Sequence, residues 1–368
     1  MPHDAYQGLY IHVPFCASKC HYCDFDSLPY GSDDPYLGEY VEGLIGDIRR
    51  LSKEGELSSI QTIYLGGGTP THLGAKHLAS LMYALSLFVD LSCVQEYTVE
   101  ANPESLTEPL VKDMWALGAN RLSLGVQSFD DDLLKAIGRI HSASDALRAL
   151  EAAQTRFDNV SLDLMCGLPG QTAEGSAADV AQAVSLGVPH VSLYPLSLEK
   201  GTKLYRRRRK LDLPTEDEQA DMMEEAHRLL AEAGLHRYEV ASHARPGFEA
   251  KHNQSYWMGV PYLGLGRSAV TMTQNDERRM RVRNGEVEDD LDAVQMAAED
   301  AMLAMRMTAG LSRERAARMA ELLPELPECL CRLEALGLLA QDEAGWHPTE
   351  RGWLLGNELF GELLSLAP

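Results

Sequence analysis

The sequence predicts an α/β fold: a partial (β/α)6 TIM-like barrel followed by a small, winged-helix-like C-terminal α domain. Three observations carry this. Strand-like and helix-like stretches alternate about six times, the pattern of a parallel sheet with helices outside it. Cysteines, glycine runs and isolated polar residues gather just after the strands, where a β/α barrel carries its active face. From Leu291 onward the alternation gives way to helices and a small hairpin, which read as a winged-helix-like unit.

The first strand is Gly8–Val13, with Leu9, Ile11 and Val13 on one face and Tyr10 and His12 on the other. Pro14 ends it. Residues 36–51 carry Tyr40, Leu44, Ile48 and Leu51 at helical spacing. The second strand, residues 60–65, closes on Gly66-Gly67-Gly68-Thr69-Pro70. Helices at 77–89, 108–117, 143–155 and 176–186 alternate with strands at 97–100, 121–126, 160–165 and 190–194. A last helix at 216–233 precedes residues 237–241. Beyond Leu291 come helices at 291–307, 312–321 and 327–336. A hairpin of 338–341 with Gly345–Pro348 and a final helix opening at Thr349 complete the chain. The division is therefore a barrel over 1–242, a linking segment over 243–290 and a C-terminal domain over 291–368.

Net charge is −22, from 33 Lys and Arg against 55 Asp and Glu in 368 residues. Such a field repels phosphate backbones, so nucleic acid is not an expected partner. The one dense basic run, Arg206 to Lys210, is followed by Glu216, Asp217 and Glu218 and reads as a solvated helix face. The C-terminal domain lacks a basic recognition stripe and reads as a lid or docking domain. No apolar run approaches the roughly eighteen residues of a membrane span. No basic segment followed by an apolar one marks secretion. The 7 cysteines are odd in number and unevenly placed, which argues against a disulfide framework. A reducing cytoplasm is the expected location.

Three of those cysteines, Cys16, Cys20 and Cys23, are spaced C-x3-C-x2-C directly after the first strand. Thiolates this close on one loop can bind separate irons of a four-iron cube and leave the remaining iron open. Zinc is the alternative metal, but it wants a further Cys or His, and His21, adjacent to Cys20, is badly placed to close such a site. Cys329 and Cys331 read as helix residues without metal. The glycines after the second strand let a ligand approach the backbone closely. Glu100, Gln127, Arg139 and Asp163 follow later strands. Singly, each would serve as a cap or loop contact; together they suit a ligand bearing hydroxyls, an ammonium and a carboxylate.

The cysteine spacing resembles the signature of radical S-adenosylmethionine enzymes, in which S-adenosylmethionine occupies the open iron of a [4Fe-4S] cluster. Further runs narrow this resemblance: Tyr10-Ile11-His12-Val13-Pro14-Phe15-Cys16, Leu65 to Pro70, Gly125-Val126-Gln127-Ser128-Phe129 and Asp163 to Gln171. They resemble the family of oxygen-independent coproporphyrinogen III oxidase and its relatives, which includes a group of heme chaperones. The resemblance extends from residue 8 to about residue 366. It implies that Tyr10, Tyr22, Gly67, Gly68, Thr69, Glu100, Gln127, Arg139 and Asp163 contact S-adenosylmethionine, with Pro195 and Val270 at two further contact positions.

Two features choose within that family. The decarboxylating enzymes have a further cysteine two residues after the third ligand, where this chain has Phe25. His252-Asn253-Gln254-Ser255-Tyr256-Trp257 matches the H-N-x-x-Y-W motif of the chaperone group, whose histidine is associated with heme. Imidazole is a natural axial ligand. The chain departs from that group at Gly264 to Met272, where Arg267 enters and an expected histidine is missing. The resemblance implies a chaperone that binds a [4Fe-4S] cluster, S-adenosylmethionine and heme, and passes heme to an accepting protein. The enzymatic alternative is oxidative decarboxylation of coproporphyrinogen III propionates. A radical enzyme acting on RNA is disfavoured by the charge.

Overall fold

A computed structural model describes residues 3–367. Six parallel strands form the expected partial barrel: β1 (Gly8–Val13), β2 (Thr62–Gly67), β3 (Glu96–Ala101), β4 (Arg121–Gln127), β5 (Val160–Cys166) and β6 (His190–Pro195). Beyond β6 lie two short antiparallel strands, β7 (His236–Arg237) and β8 (Ser242–Ala244). On the other side, β9 (Tyr262–Leu265) pairs parallel with β1. It is extended by antiparallel β10 (Val270–Gln274), β11 (Arg278–Arg283) and β12 (Glu286–Asp292). The resulting 12-stranded sheet has the order β12-β11-β10-β9-β1-β2-β3-β4-β5-β6-β8-β7.

Residues of equal parity face the same side of a strand. Leu9, Ile11, Ile63, Leu65, Tyr97, Val99, Leu122, Leu124, Leu162 and Leu164 form one face of the sheet and the main apolar core. The helices α1 (Pro35–Glu54), α2 (Gly74–Phe88), α3 (Glu108–Ala116), α4 (Asp131–Ala136), α5 (Ala143–Gln154) and α6 (Ala173–Ser185) connect the strands. α7 (Lys203–Arg207) and α8 (Glu216–Glu232) follow β6. In α1, Leu37, Val41, Leu44, Ile48 and Leu51 make the buried stripe. Asp34 accepts from the Tyr36 amide at its start, and left-handed Gly55 stops it. Arg206 to Lys210 lies exposed over α7 and the turn after it, as expected of a solvated face.

The opposite parity leaves a polar inner face: Tyr10 and His12, Thr62 and Tyr64, Glu96 and Glu100, Ser123, Asp163 and Ser192, with the register shifting after Gly125 so that Gln127 comes opposite Leu164. Residues 243–290, expected as a link, contribute strands β9 to β12 and the helix α9 (Lys251–Trp257). Glu96, the first residue of β3, accepts from the Lys251 amide at 2.7 Å and the His252 amide at 3.1 Å, capping α9 from the sheet.

The hairpin β11–β12 replaces the start of the helix expected over 291–307, because its strands run to Asp292 and α10 (Ala293–Ala304) begins only there. Nine of its fifteen residues, Arg278 to Asp292, are charged, and Met280, Val282, Val287 and Leu291 are too few to mark strands. Cross-strand pairs hold it, among them Arg281–Asp289 at 3.2 Å, and Arg283 pairs with Glu288 at 2.6 Å. A second apolar core lies over residues 297–363, under α10, α11 (Arg313–Met319), α12 (Leu326–Ala335), α13 (Glu350–Leu354) and α14 (Gly356–Leu364). β13 (Leu311–Ser312), β14 (Leu339–Gln341) and β15 (Gly345–Pro348) form its small antiparallel sheet. Cys329 and Cys331 sit on α12, the first buried and the second exposed. No helix among the described residues is long and apolar enough to cross a membrane.

The C-terminal core is joined to the sheet by charged contacts. The Arg306 guanidinium lies 4.6 Å from the ring centre of Trp257 and 5.0 Å from that of Phe360. Arg279 on β11 is 1% exposed and bonds Asp300 of α10 at 2.8 Å and Gln274 at 2.8 Å, with Glu299 beside it. Removing one partner of a buried pair strands the others' charge. Arg279→Ala is therefore expected to destabilise the chain by about 3–5 kcal/mol, read by urea denaturation. A change within error of zero would show that the pair does not tie β11 to α10.

Candidate functional site

β1 ends at Val13 and the chain enters the cysteine loop. Phe15–Cys16 pairs parallel with Leu28–Pro29, closing the loop on itself. Lys19 Nζ donates to the Phe25 carbonyl at 2.9 Å and the Ser27 carbonyl at 3.3 Å. Asp26 accepts from Arg267 Nε at 2.7 Å and from the Ser268 hydroxyl. His12 Nε2 donates to the Asp26 carbonyl at 2.9 Å, so its Nδ1 accepts the Tyr10 hydroxyl at 2.9 Å. Burial holds His12 neutral by lowering its pKa.

Cys16, Cys20 and Cys23 are free thiols, partly buried, and all line one cavity of about 310 Å³. Among the described residues no three His, Cys, Asp or Glu side chains are placed to hold a single metal ion. Thiols that share a cavity without converging on one point suit a cube, whose irons each take one thiolate. His21 is turned away, its Nδ1 donating to the Ala136 carbonyl at 3.2 Å. Burial pushes the Cys16 thiol up to about 11, so metal binding there would release a proton.

A run of hydrogen bonds spans the cavity. Arg139 Nη1 donates to Cys20 Sγ at 3.5 Å, and Arg139 Nη2 to Asn102 Oδ1 at 2.8 Å. Asn102 Nδ2 donates to Thr69 Oγ1 at 2.9 Å, and Thr69 Oγ1 to Cys16 Sγ at 3.4 Å. Cys23 Sγ meets the Ser27 hydroxyl at 3.8 Å, so all three sulfurs have hydrogen-bond partners. Arg139 Nε is buried without a partner. Gly67 has φ +103°, and a Cβ there would sit 2.3 Å from the His12 ring; one on Gly68 would sit 2.6 Å from the Val13 carbonyl. Both positions exclude side chains and leave backbone facing the cavity. Gln127 is held at φ +72° at the end of β4, an uncommon conformation for a residue with a Cβ.

Glu100 accepts from the Tyr64 hydroxyl at 2.7 Å and the Gly67 amide at 3.0 Å. Asp163 accepts from the Ser123 hydroxyl at 3.2 Å. Burial holds the Glu100 carboxyl up at about 7 and that of Asp163 up at about 6. A second cavity of about 520 Å³ is lined by Tyr10, His12, Tyr256, Trp257, Tyr262, Val270, Arg281 and Arg283, and a third of about 200 Å³ by Tyr64, His252 and Tyr256. Phe25, 64% exposed, lines all three. His252 is 1% exposed and stacks on Tyr64 with ring centres 5.2 Å apart. Its Nδ1 meets the Thr62 hydroxyl at 2.8 Å and its Nε2 the Tyr256 hydroxyl at 2.9 Å.

Residues 10–183 match the Radical SAM superfamily and residues 291–355 the HemN C-terminal domain. The heme chaperone HemW of Bacillus subtilis (strain 168) is 36% identical over 381 aligned positions, covering 97% of this chain and 99% of that protein. This chain belongs to the HemW family. The HemW of Escherichia coli (strain K12) is 34% identical, covering 96% of this chain and 97% of that one. The solved structure of Escherichia coli coproporphyrinogen III oxidase (HemN) superposes with a TM-score of 0.81, covering 98% of this chain and 90% of that chain. At 21% identity it attests the fold alone.

In this HemW-family chain, the thiol cavity gathers Tyr22, Gly67, Gly68, Thr69, Glu100, Gln127, Arg139 and Asp163 around Cys16, Cys20 and Cys23. Tyr10 and Val270 line the second cavity instead. Pro195 is exposed, and its neighbour Tyr194 lines the thiol cavity in its place. His252 does not line the thiol cavity, but the small cavity it does line shares Phe25, Gly67 and Glu100 with it. Arg267, the departure from the chaperone pattern, clamps Asp26 of the cysteine loop. Asn102 was not singled out from sequence, although it follows Glu100 by two residues and so shares its face.

Carboxyls that keep protons in the folded state, while the unfolded chain releases them near 4.5 and 3.8, cost stability as pH rises toward 7. These two carboxyls thus oppose the gain in stability that the buried, neutral histidines His12, His190, His227, His243 and His252 bring as pH rises. Glu100→Gln in ligand-free protein is expected to make stability rise more steeply, or fall less, with pH than in the parent. Thermal midpoints against pH measure this; a slope identical to the parent's contradicts it.

Proposed function

We propose that this chain is a heme-binding chaperone that carries a [4Fe-4S] cluster on Cys16, Cys20 and Cys23, with S-adenosylmethionine beside it, and hands heme to an accepting protein. The observation carrying this reading is the aromatic-lined second cavity of about 520 Å³ that adjoins the thiol cavity across Phe25. Cavities of some 300–1,000 Å³ hold ligands of this general size. Tyr10, Tyr256, Trp257 and Tyr262 offer ring faces, and Arg281 and Arg283, already paired with Asp289, Glu299 and Glu288, place cations at its wall. The names of the full-length relatives point the same way.

The cluster, when bound, supplies an iron with an open coordination position for the amino-acid end of S-adenosylmethionine. The protein's part is to bind and orient. Gly67 and Gly68 give that end close access to backbone, Arg139 offers a cation for a carboxylate, and Glu100 and Asp163 offer acceptors for an ammonium or hydroxyls. Phe25 puts an apolar ring where the decarboxylating relatives carry a thiol, and it stands between the two ligands. Residues 291–368 serve as the docking domain for the acceptor, and residues 1–242 as the cofactor-binding barrel. The intracellular compartment proposed is the cytoplasm.

Anaerobic reconstitution with iron and sulfide is expected to load one four-iron cluster per chain, and Cys16→Ser, Cys20→Ser or Cys23→Ser to abolish its absorbance. Heme added to the same preparation should give a Soret band. Incubation with coproporphyrinogen III, S-adenosylmethionine and a reductant should leave the substrate unchanged. Formation of protoporphyrinogen IX would overturn the chaperone reading in favour of oxidative decarboxylation.

A further inference from the structure

We infer that His21, between Cys20 and Cys23 in the loop, is a positioning residue: it caps the end of α4 and so sets Arg139 against Cys20. This rests on the cluster-binding reading above and adds to it a residue that tunes how readily the cluster is reduced.

α4 ends in a tight turn. Gly138 has φ +80°. Its amide donates to the Lys135 carbonyl at 3.1 Å, and the Arg139 amide donates to the Leu134 carbonyl at 2.9 Å. This is a left-handed glycine stop, and Arg139 is the first residue beyond it. The last carbonyls of a helix find no partner within the helix itself. Here the final two are met by one residue of the cysteine loop. The His21 amide donates to the Ile137 carbonyl at 2.8 Å, and His21 Nδ1 donates to the Ala136 carbonyl at 3.2 Å. The ring also lies against the glycine, where a Cβ on Gly138 would sit 2.7 Å from His21 Cδ2. On its other side the His21 carbonyl accepts from the amide of buried Leu204, in α7, at 2.9 Å. The loop backbone is thus held twice, and the imidazole adds a bond that only a side chain can make.

Cys20 directly precedes His21, and Arg139 directly follows Gly138. One cap therefore sets how far apart the two backbones lie. The guanidinium is held to the sheet on its far side, with Nη2 donating to Asn102 Oδ1 at 2.8 Å and to the Gly125 carbonyl. The remaining freedom is the approach of the loop, and His21 fixes it where Arg139 Nη1 donates to Cys20 Sγ at 3.5 Å. Hydrogen bonds to the sulfurs of an iron–sulfur cluster help to set its potential. A cationic donor raises it, because the reduced cluster carries more negative charge. In a chain of net charge −22 this cation also opposes the field of the rest of the molecule.

Two measurements on the full-length chain test the assignment: hydrogen exchange without ligands, and the reduction potential after reconstitution with iron and sulfide. In His21→Ala the amides of Gly138 and Arg139 should exchange faster. The reduction equilibrium of the cluster should fall about tenfold, which is about 59 mV for one electron. His21→Asn places an amide nitrogen where Nδ1 stood, and both readouts should return toward the parent. In an Arg139→Gln background, His21→Ala should shift the potential no further. Unchanged exchange at Gly138 and Arg139 in His21→Ala would overturn the inference. So would an unchanged potential, or an equal shift when Arg139 is already replaced. Exchange needs no cluster, so it decides the case for a variant that fails to load. A parent chain that loads no iron defeats the cluster-binding reading itself.

Discussion

The constraint on which the structure depends is the cost of a polar surface turned inward. An open barrel of six parallel strands hides its apolar face under helices and leaves the other parity facing the interior. Polar groups there must find partners or forfeit kilocalories each. Glu100 takes the Tyr64 hydroxyl and the Gly67 amide, Asp163 the Ser123 hydroxyl, and Glu96 the first amides of α9. The last contact brings the H-N-x-x-Y-W run against the strands. Its position follows from satisfying a buried carboxylate, and the cavities above it are what that plug leaves unfilled.

At the other end of the strands the same economy serves the thiols. Arg139, Asn102 and Thr69 hand hydrogen bonds from one to the next and finish on Cys20 and Cys16. The loop itself is secured from distant sequence, by Arg267 and Ser268 on Asp26 and by His12 on the Asp26 carbonyl. Ligands on a loop need such outer support to hold their geometry.

Much of this was legible in the sequence, for physical reasons. Alternation of Leu9, Ile11 and Val13 with Tyr10 and His12 states a half-buried strand, and its recurrence states the barrel. The strand-end residues were legible because glycine runs and lone charges inside apolar surroundings are costly without a purpose. The edge hairpin was not, because Arg278 to Asp292 is held by ion pairs and its few apolar residues, Met280, Val282, Val287 and Leu291, make only a faint alternation. Its turn signal was present all the same: Asn284 and Gly285 both have positive φ, as a two-residue hairpin turn requires. Asn102 carries no such signal, since an asparagine before a proline equally suits a plain turn. The depth of His252 was illegible in principle. A linear motif says which residues travel together, not which of them lies underneath.

One further consequence follows from Arg306, whose guanidinium is sandwiched between the Trp257 ring of α9 and the Phe360 ring of α14. Trp257 is the immediate neighbour of Tyr256. The last helix and one wall of the larger cavity therefore share a packing contact. A displacement of α14 would be felt across these stacked groups by α9, the helix that bears the H-N-x-x-Y-W run.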